Sequence, residues 1–224
     1  MKVILFGGSG MIGQGVLREC LLAEDVDEVL AIGRTQLALR HPKLRQIVRA
    51  DLFNYTEMEA ELHGFDACFF TLGVSASEVD ETGYARINRD LPILVATTLA
   101  RFNPSMVFTY VSGAGTDSTE RGRVMWARVK GSTENALMRI PFKGAYMFRP
   151  GAIVPAHGEV SKTRAYRWSY AALGWGLPLL RRAFPNFILT TEQIGIAMLQ
   201  TVRVGSARRI LETADIANLA KCAN

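Results

Sequence analysis

Cysteine is scarce in this chain of 224 residues, and the way it is placed excludes two classes of small protein. Cys20, Cys68 and Cys222 are odd in number, far apart and free of any C-x-x-C pair. That pattern excludes a disulfide scaffold and a zinc module, and it indicates reduced thiols in a cytoplasm-like compartment. A chain of this length buries roughly 70% of its unfolded surface, so it needs neither disulfide bonds nor a structural metal to be stable.

Long hydrophobic runs and paired histidines are also missing. The longest apolar segment, Tyr170 to Leu180, is about half the length of a membrane span and contains two glycines and a proline. The start, Met1-Lys2 followed by four apolar residues, is too short for a secretion signal. His41, His63 and His157 share no ligand spacing, so no metal site is predicted. We expect a cytoplasmic protein without a membrane span or a metal.

Acidic residues are few between residues 121 and 182, where twelve basic side chains accompany two acidic ones. The whole chain carries a formal charge of +5, so the remainder is negative. A positive lobe favours an anionic ligand, although a plain solvated surface has the same composition. Nucleic acid is disfavoured, because the basic residues stand singly and lack interleaved aromatics.

Apolar segments alternate with helical patterns over the first two thirds of the chain. Strands are predicted near residues 2–6, 28–32, 44–50, 67–72, 106–112 and 145–149, and helices near 11–23, 55–63, 82–102 and 123–140. Pro92 lies inside the third of these helices, as a kink or a restart. Strands that are apolar throughout and separated by helices predict an α/β fold, with a doubly wound, Rossmann-like parallel sheet.

The pattern changes after Pro150, where glycine, proline and aromatic residues become frequent. We expect residues 151–224 to form a small substrate-side lobe with an aromatic stretch from Tyr166 to Trp175. Thr190 and Gln193 predict a capping box that opens a helix, and a strand near 209–211 and a terminal helix follow. No linker or repeat divides the chain, so residues 1–224 are predicted to form one domain.

A glycine-rich turn separates the first strand from the first helix. It reads Gly7-Gly8-Ser9-Gly10-Met11-Ile12-Gly13, with glycines three apart. Such a turn needs positive φ, close approach of a diphosphate to the backbone, and close packing of helix on strand. Free N–H groups and the positive helix end then bind the phosphates. In this strand-turn-helix context the motif predicts a dinucleotide site; an ordinary glycine turn is the alternative.

The end of the second strand indicates which dinucleotide is bound. A ribose with two free hydroxyls is usually held by an acidic residue about 20 residues beyond the glycines. Here that place reads Gly33-Arg34-Thr35, without a carboxylate. The planar fork of Arg34 suits a 2′-phosphate, which favours NADP over NAD unless Arg34 is merely exposed.

With these features the chain resembles the short-chain dehydrogenase/reductase superfamily, in its extended and atypical, epimerase-like branch. The resemblance spans nearly the whole chain and is carried by the glycine turn, Asp51-Leu52, Leu72-Gly73, Val111-Ser112 and Arg149-Pro150-Gly151. It implies that Asp51-Leu52 lies by the adenine, Leu72-Gly73 by the adenosine ribose, and Pro150-Gly151 by the nicotinamide. From the residues alone, Asp51 could equally be a turn cap and Leu72-Gly73 a bare strand end.

The family's catalytic pattern is broken. In that family a Tyr lies four residues before a Lys, and a Ser lies at the end of the fifth strand. In this chain Lys130 and Ser112 match the Lys and the Ser, but Trp126 stands in the Tyr position. An indole N–H donates only and does not titrate, so Trp126 cannot be the acid or base. No other lysine has a Tyr four residues earlier. Lys130 could still hold the nicotinamide ribose, and Ser112 could orient the substrate or simply bond to backbone.

Three tyrosines could supply a phenol from elsewhere, Tyr84, Tyr110 and Tyr166, although each also fits a packing role. Asn88 could lie near the active site or make an ordinary helical bond. Two functions stay open: an NADP-dependent oxidoreductase or epimerase-like enzyme acting on a small carbonyl or alcohol, and a non-catalytic NADP(H)-binding regulator acting through a protein partner. The long helices after strands four and five could also pair in a homodimer.

Overall fold

Seven parallel strands form the central sheet of the computed structural model, which describes residues 1–159 and 188–222. The strands are β1 (Lys2–Phe6), β2 (Glu28–Gly33), β3 (Leu44–Val48), β4 (Ala67–Phe70), β5 (Val107–Val111), β6 (Gly144–Arg149) and β9 (Ile210–Glu212). Their order is β3-β2-β1-β4-β5-β6-β9, and Phe6 of β1 lies opposite both Ile32 of β2 and Phe70 of β4. This confirms the predicted α/β, Rossmann-like fold.

Helices cover both faces of the sheet. They are α1 (Met11–Leu22), α2 (Glu81–Ala85), α3 (Leu91–Phe102), α4 (Met125–Leu137), α5 (Thr191–Arg203) and α6 (Thr213–Lys221). One buried cluster joins the sheet to α1, α5 and α6, and the other joins it to α3 and α4. Because both faces are covered, the residues of β1 from Val3 to Phe6 are fully buried, which explains why the strands are apolar throughout.

The structure corrects two of the predicted helices. The segment expected as a helix near residues 55–63 is a 3₁₀ helix, Thr56–Leu62. The helix expected over 82–102 consists of α2, a π-helical turn (Arg86–Asp90) and α3, with Pro92 in the first turn of α3. Pro92 has no N–H to bond the carbonyl of Asn88, so the regular hydrogen-bond ladder breaks here. The proline restarts the helix, which is one of the two outcomes that the sequence left open.

The chain after Pro150 contributes to both sheets of the structure. β7 (Ala152–Val154) and β8 (Ile188–Thr190) form a separate parallel pair that the sequence did not predict. The predicted capping box is confirmed, because the Thr190 side chain accepts from the backbone of Gln193 and the Gln193 side chain accepts from that of Thr190. The aromatic stretch from Tyr166 to Trp175 lies outside the described residues, so the substrate-side lobe and the single-domain assignment stay predictions.

Within the described residues, no helix combines the length and the apolar character that spanning a bilayer requires.

Candidate functional site

The turn after β1 is built around glycine at two positions. Gly7 has φ +87°, a left-handed conformation that side chains disfavour, and its carbonyl accepts a hydrogen bond from Gly10 N at 2.9 Å. A Cβ on Gly13 would lie 2.1 Å from that carbonyl oxygen. The first turn of α1 therefore packs directly onto the backbone of Gly7, and only glycine allows this approach.

The amino end of α1 is left open towards solvent. The helix begins at Met11 after Gly10, no side chain caps it, and its first turn contains no acidic residue. The first N–H groups of a helix lack intrahelical partners and carry a partial positive charge. This end of α1 is consequently suited to an anion such as a phosphate.

An open cleft of about 1010 Å³ lies at the carboxyl ends of β1 and β4, where the strand order reverses. Ligands of doubly wound sheets bind at this kind of switch point. The structure brings most of the predicted site residues into its lining: Gly7, Ser9, Gly10, Met11, Ile12, Arg34, Leu72, Gly73, Ser112, Lys130, Pro150 and Gly151.

Charge in the cleft has one sign. Arg34 and Lys130 line it, whereas no carboxylate lines the part of the cleft that the structure describes. Arg34 is exposed and forms no ion pair with any of the described residues. The cleft thus favours an anionic ligand on electrostatic grounds.

Three predicted residues lie outside this lining. Gly13 is buried behind the turn, where it allows the helix to approach. Asp51 is exposed and caps a turn, since its Oδ1 accepts from Phe53 N at 2.9 Å, while Leu52 is buried in the core. Asp51 is therefore a turn cap in the structure, which is the alternative that its sequence context left open. The structure does not bring Asp51 or Leu52 into the lining of the cleft.

Known proteins with similar sequences are distant. No family model matches the chain. Protein HTATIP2 of Rattus norvegicus is 26% identical over 155 residues, covering 68% of this chain and 63% of that protein, so the chain matches less than two thirds of this relative. A protein named FMP52, mitochondrial, from Eremothecium gossypii is 24% identical over 232 residues and covers 100% of this chain and 99% of its own length.

Solved structures share the fold more completely. An oxidoreductase of the short chain dehydrogenase/reductase family from Burkholderia thailandensis superposes with a TM-score of 0.69 at 16% identity, covering 97% of this chain and 92% of that one. The Bordetella bronchiseptica enzyme WbmH, crystallised with NAD⁺, gives a TM-score of 0.66 at 15% identity and covers 94% and 74%. The chain therefore shares the fold of these two proteins.

On α4, an indole stands where the resemblance to the short-chain dehydrogenase/reductase superfamily predicts a phenol. Trp126 and Lys130 lie one turn apart on α4, and both line the cleft. The Lys130 ammonium donates to the backbone carbonyl of Ser112. Burial lowers the pKa of Lys130 to about 8, against the opposing effect of the Glu134 carboxylate.

The Ser112 side chain is turned towards the protein. Its hydroxyl lies against Glu134 Oε1, to which it donates, and within 3.0 Å of the Phe148 carbonyl oxygen. Glu134 is fully buried. A hydroxyl has one proton to donate, so in this arrangement it serves a carboxylate rather than a substrate oxygen. The catalytic role of Ser112 stays a prediction.

A buried ionic network lies behind Ser112 and was not predicted. Arg149 Nε donates to Glu134 Oε1 at 3.0 Å, and Arg149 Nη1 contacts Glu212 Oε1 at 3.3 Å. Glu134 raises the pKa of Arg149 further above its usual range, because each charge favours the other. The sequence signal was a charged residue, Arg149, at the end of an otherwise apolar strand.

The π-helical turn connects the cleft to the core through Asn88. Its side chain accepts from Val74 N at 3.3 Å and donates to the carbonyls of Val74, at 3.3 Å, and Tyr84, at 3.2 Å, which fixes the loop after β4. The Asn88 carbonyl, released by Pro92, accepts from the Tyr110 hydroxyl at 2.8 Å and from Thr133 Oγ1 at 3.0 Å. Asn88 lines the cleft, but its bonds are structural.

The structure also forms a cluster that spacing along the chain could not reveal. Glu19, His157 and Glu192 each place one potential metal-ligand atom within 4.8 Å of the others. His157 Nε2 lies 3.3 Å from Glu192 Oε2, and Arg18 pairs with Glu19. This cluster lies outside the lining of the main cleft.

Proposed function

We propose that the chain binds a nicotinamide dinucleotide in this cleft, with NADP(H) preferred, and acts as an oxidoreductase or epimerase-like enzyme on a small carbonyl or alcohol. The observation that carries the proposal is the cradle at the start of α1. Its helix end is uncapped, and the backbone of Gly7 packs so closely on Gly13 that no Cβ fits between them. A diphosphate suits such a cradle, since it needs N–H donors and close approach to the backbone.

The two cations that line the described part of the cleft suit the two ends of a phosphorylated dinucleotide. Arg34, beyond β2, would hold the 2′-phosphate through its planar, bidentate fork. Lys130 would hold the nicotinamide ribose from α4, and Pro150-Gly151 would border the nicotinamide ring. When bound, the dinucleotide supplies or accepts a hydride. The chain's contribution is then to orient the ring and the substrate and to transfer a proton.

Calorimetry with NADPH and NADH tests the proposal. We expect Arg34→Ala to lower the affinity for NADPH by about tenfold or more, which is the effect of losing a charge-assisted hydrogen bond. The affinity for NADH should fall by about twofold or less. Arg139→Ala, which removes an exposed arginine outside the cleft, is the matched control. Equal losses for both nucleotides would contradict the NADP preference, and no binding of either would contradict the proposal itself.

A second candidate is a non-catalytic NADP(H)-binding regulator that acts through a protein partner. It is favoured by Trp126 in the phenol position and by the engagement of the Ser112 hydroxyl with Glu134. Stopped-flow oxidation of NADPH across a panel of carbonyls separates the two candidates. No oxidation by the parent chain, with a gain in Trp126→Tyr, would support the regulator. The protein partner, the homodimer and the cytoplasmic location stay predictions.

A further inference from the structure

Tyr84 differs from the other tyrosines that the structure describes, because it alone among Tyr55, Tyr84, Tyr110 and Tyr146 lines the cleft. Tyr110, considered above for the same role, is excluded by its position. It is fully buried in β5 and its hydroxyl is used in the bond to the Asn88 carbonyl. Tyr166 lies outside the described residues.

The Tyr84 hydroxyl is available for a ligand. The residue is only 3% exposed, and within the described ranges its hydroxyl has no hydrogen-bond partner. The hydroxyl of Tyr55 also has none, but it is sealed from solvent, whereas that of Tyr84 is not. A phenylalanine would fill the same space without leaving a polar group unbonded. The hydroxyl at this position is therefore unexplained by packing.

Tyr84 also stands next to the position from which the phenol is missing. Tyr84 belongs to a small buried cluster with Val129 of α4, and Trp126 of α4 packs against that cluster. The backbone carbonyl of Tyr84 is held by the side chain of Asn88, at 3.2 Å, in the adjoining π-helical turn. The indole of Trp126 thus occupies the place of the usual phenol on α4, and a phenol approaches the same part of the cleft from α2.

We propose that Tyr84 is the proton donor of this enzyme, a role that rests on the function proposed above. In the reduction of a ketone, the carbonyl carbon gains the hydride from the reduced dinucleotide. The carbonyl oxygen gains the Tyr84 proton, and the products are an alcohol, the oxidised dinucleotide and a phenolate. The phenolate then regains a proton from water.

The environment of Tyr84 favours donation over abstraction. Burial raises the pKa of Tyr84 to about 12, so the phenol stays protonated at neutral pH. A developing alkoxide is more basic than this phenol and can take its proton, whereas an alcohol would lose a proton to Tyr84 only after the phenol had ionised. In the reducing direction the proton therefore starts on Tyr84 and ends on the oxygen of the product alcohol.

Fluorine NMR tests the placement of Tyr84 without any substrate. Fluorotyrosine replaces tyrosine throughout the chain, and Tyr84→Phe assigns the Tyr84 signal. We expect this signal to shift on adding NADP⁺ but not on adding 2′-phospho-ADP-ribose, which lacks the nicotinamide. The signal of Tyr146, whose hydroxyl accepts from Ser206 N at 3.1 Å outside the cleft, serves as the internal reference.

Activity gives the second measurement, with the aromatic diketone benzil as the carbonyl probe and NADPH as the reductant. We expect Tyr84→Phe to lower the rate about 100-fold or more with NADPH affinity unchanged, and Tyr146→Phe to leave the rate unchanged. Calorimetry separates the two ways to fail. If NADP⁺ binds without shifting the Tyr84 signal, or if Tyr84→Phe has the same rate as the parent, only the role of Tyr84 is overturned. If the chain does not bind NADP⁺, the proposed function itself is overturned.

Discussion

Raising the pH should relieve a stability penalty that Lys130 imposes on the folded chain. Burial lowers its pKa from 10.5 to about 8, so between these values the unfolded chain binds more protons than the folded one. The free energy of unfolding therefore rises with pH across this window, and the penalty is fully present below it. The difference between the two pKa values of Lys130 corresponds to a loss of about 3 kcal/mol in the free energy of unfolding. About 2.5 kcal/mol of this loss is regained when the pH rises from 7 to 10.

Urea unfolding of the parent chain and Lys130→Met at both pH values measures this effect. The variant lacks the titrating group, so its stability relative to the parent should fall by about 2.5 kcal/mol on going from pH 7 to pH 10. The hydrogen bond from Lys130 to the Ser112 carbonyl is lost at both pH values and largely cancels in the comparison. Lys143→Met, at an exposed position, is the matched control. Parallel pH dependence in the parent and Lys130→Met would refute the reasoning.

Two further substitutions test the network and the cradle. Arg149→Met leaves the fully buried carboxylate of Glu134 without its ionic partner and should lower the free energy of unfolding in urea by about 3 to 5 kcal/mol. The control Arg203→Met breaks an exposed ion pair and should lower it by less than about 1 kcal/mol. Similar losses in the two variants would contradict a buried network. Gly13→Ala puts a Cβ 2.1 Å from a carbonyl oxygen and should abolish dinucleotide binding and destabilise the fold by about 1 to 3 kcal/mol. In the control Gly33→Ala the added Cβ has its nearest neighbouring atom 4.0 Å away, so the free energy of unfolding should change by about 0.5 kcal/mol at most. Equal changes in stability for Gly13→Ala and Gly33→Ala would argue against the close packing of α1 on Gly7.

The parts of the structure that the sequence predicted are those with strong local signals. Strands buried on both faces read as unbroken apolar runs, and the bounds of β1 match the prediction. The glycine-rich turn could also be predicted from the sequence, because its backbone conformation requires glycine at position 7 and its close packing requires glycine at position 13. Pro92 marked the break in the long helix, since a proline removes a backbone donor wherever it stands.

Weaker local signals left the type of element undecided. Tyr55, Met58 and Leu62 are buried and spaced three and four apart, which suits an α-helix, yet the segment is a 3₁₀ helix. The β7-β8 pair joins segments more than 30 residues apart, and each strand is only three residues long. Periodicity over so few residues does not distinguish a short strand from a loop.

The surroundings of Ser112 depend on contacts that no local sequence pattern contains. Ser112 meets Glu134 across 22 residues, and Arg149 reaches the same carboxylate from β6, so the pairing follows only from how α4 lies across the sheet. One consequence links two observations that the sequence left separate. On this wall of the cleft the phenol is absent at Trp126 and the Ser112 hydroxyl is committed to a buried anion, so neither offers a proton to a substrate. If the chain reduces a carbonyl, the proton must come from another group, and among the described residues Tyr84, in the cluster against which Trp126 packs, is the phenol that lines the cleft.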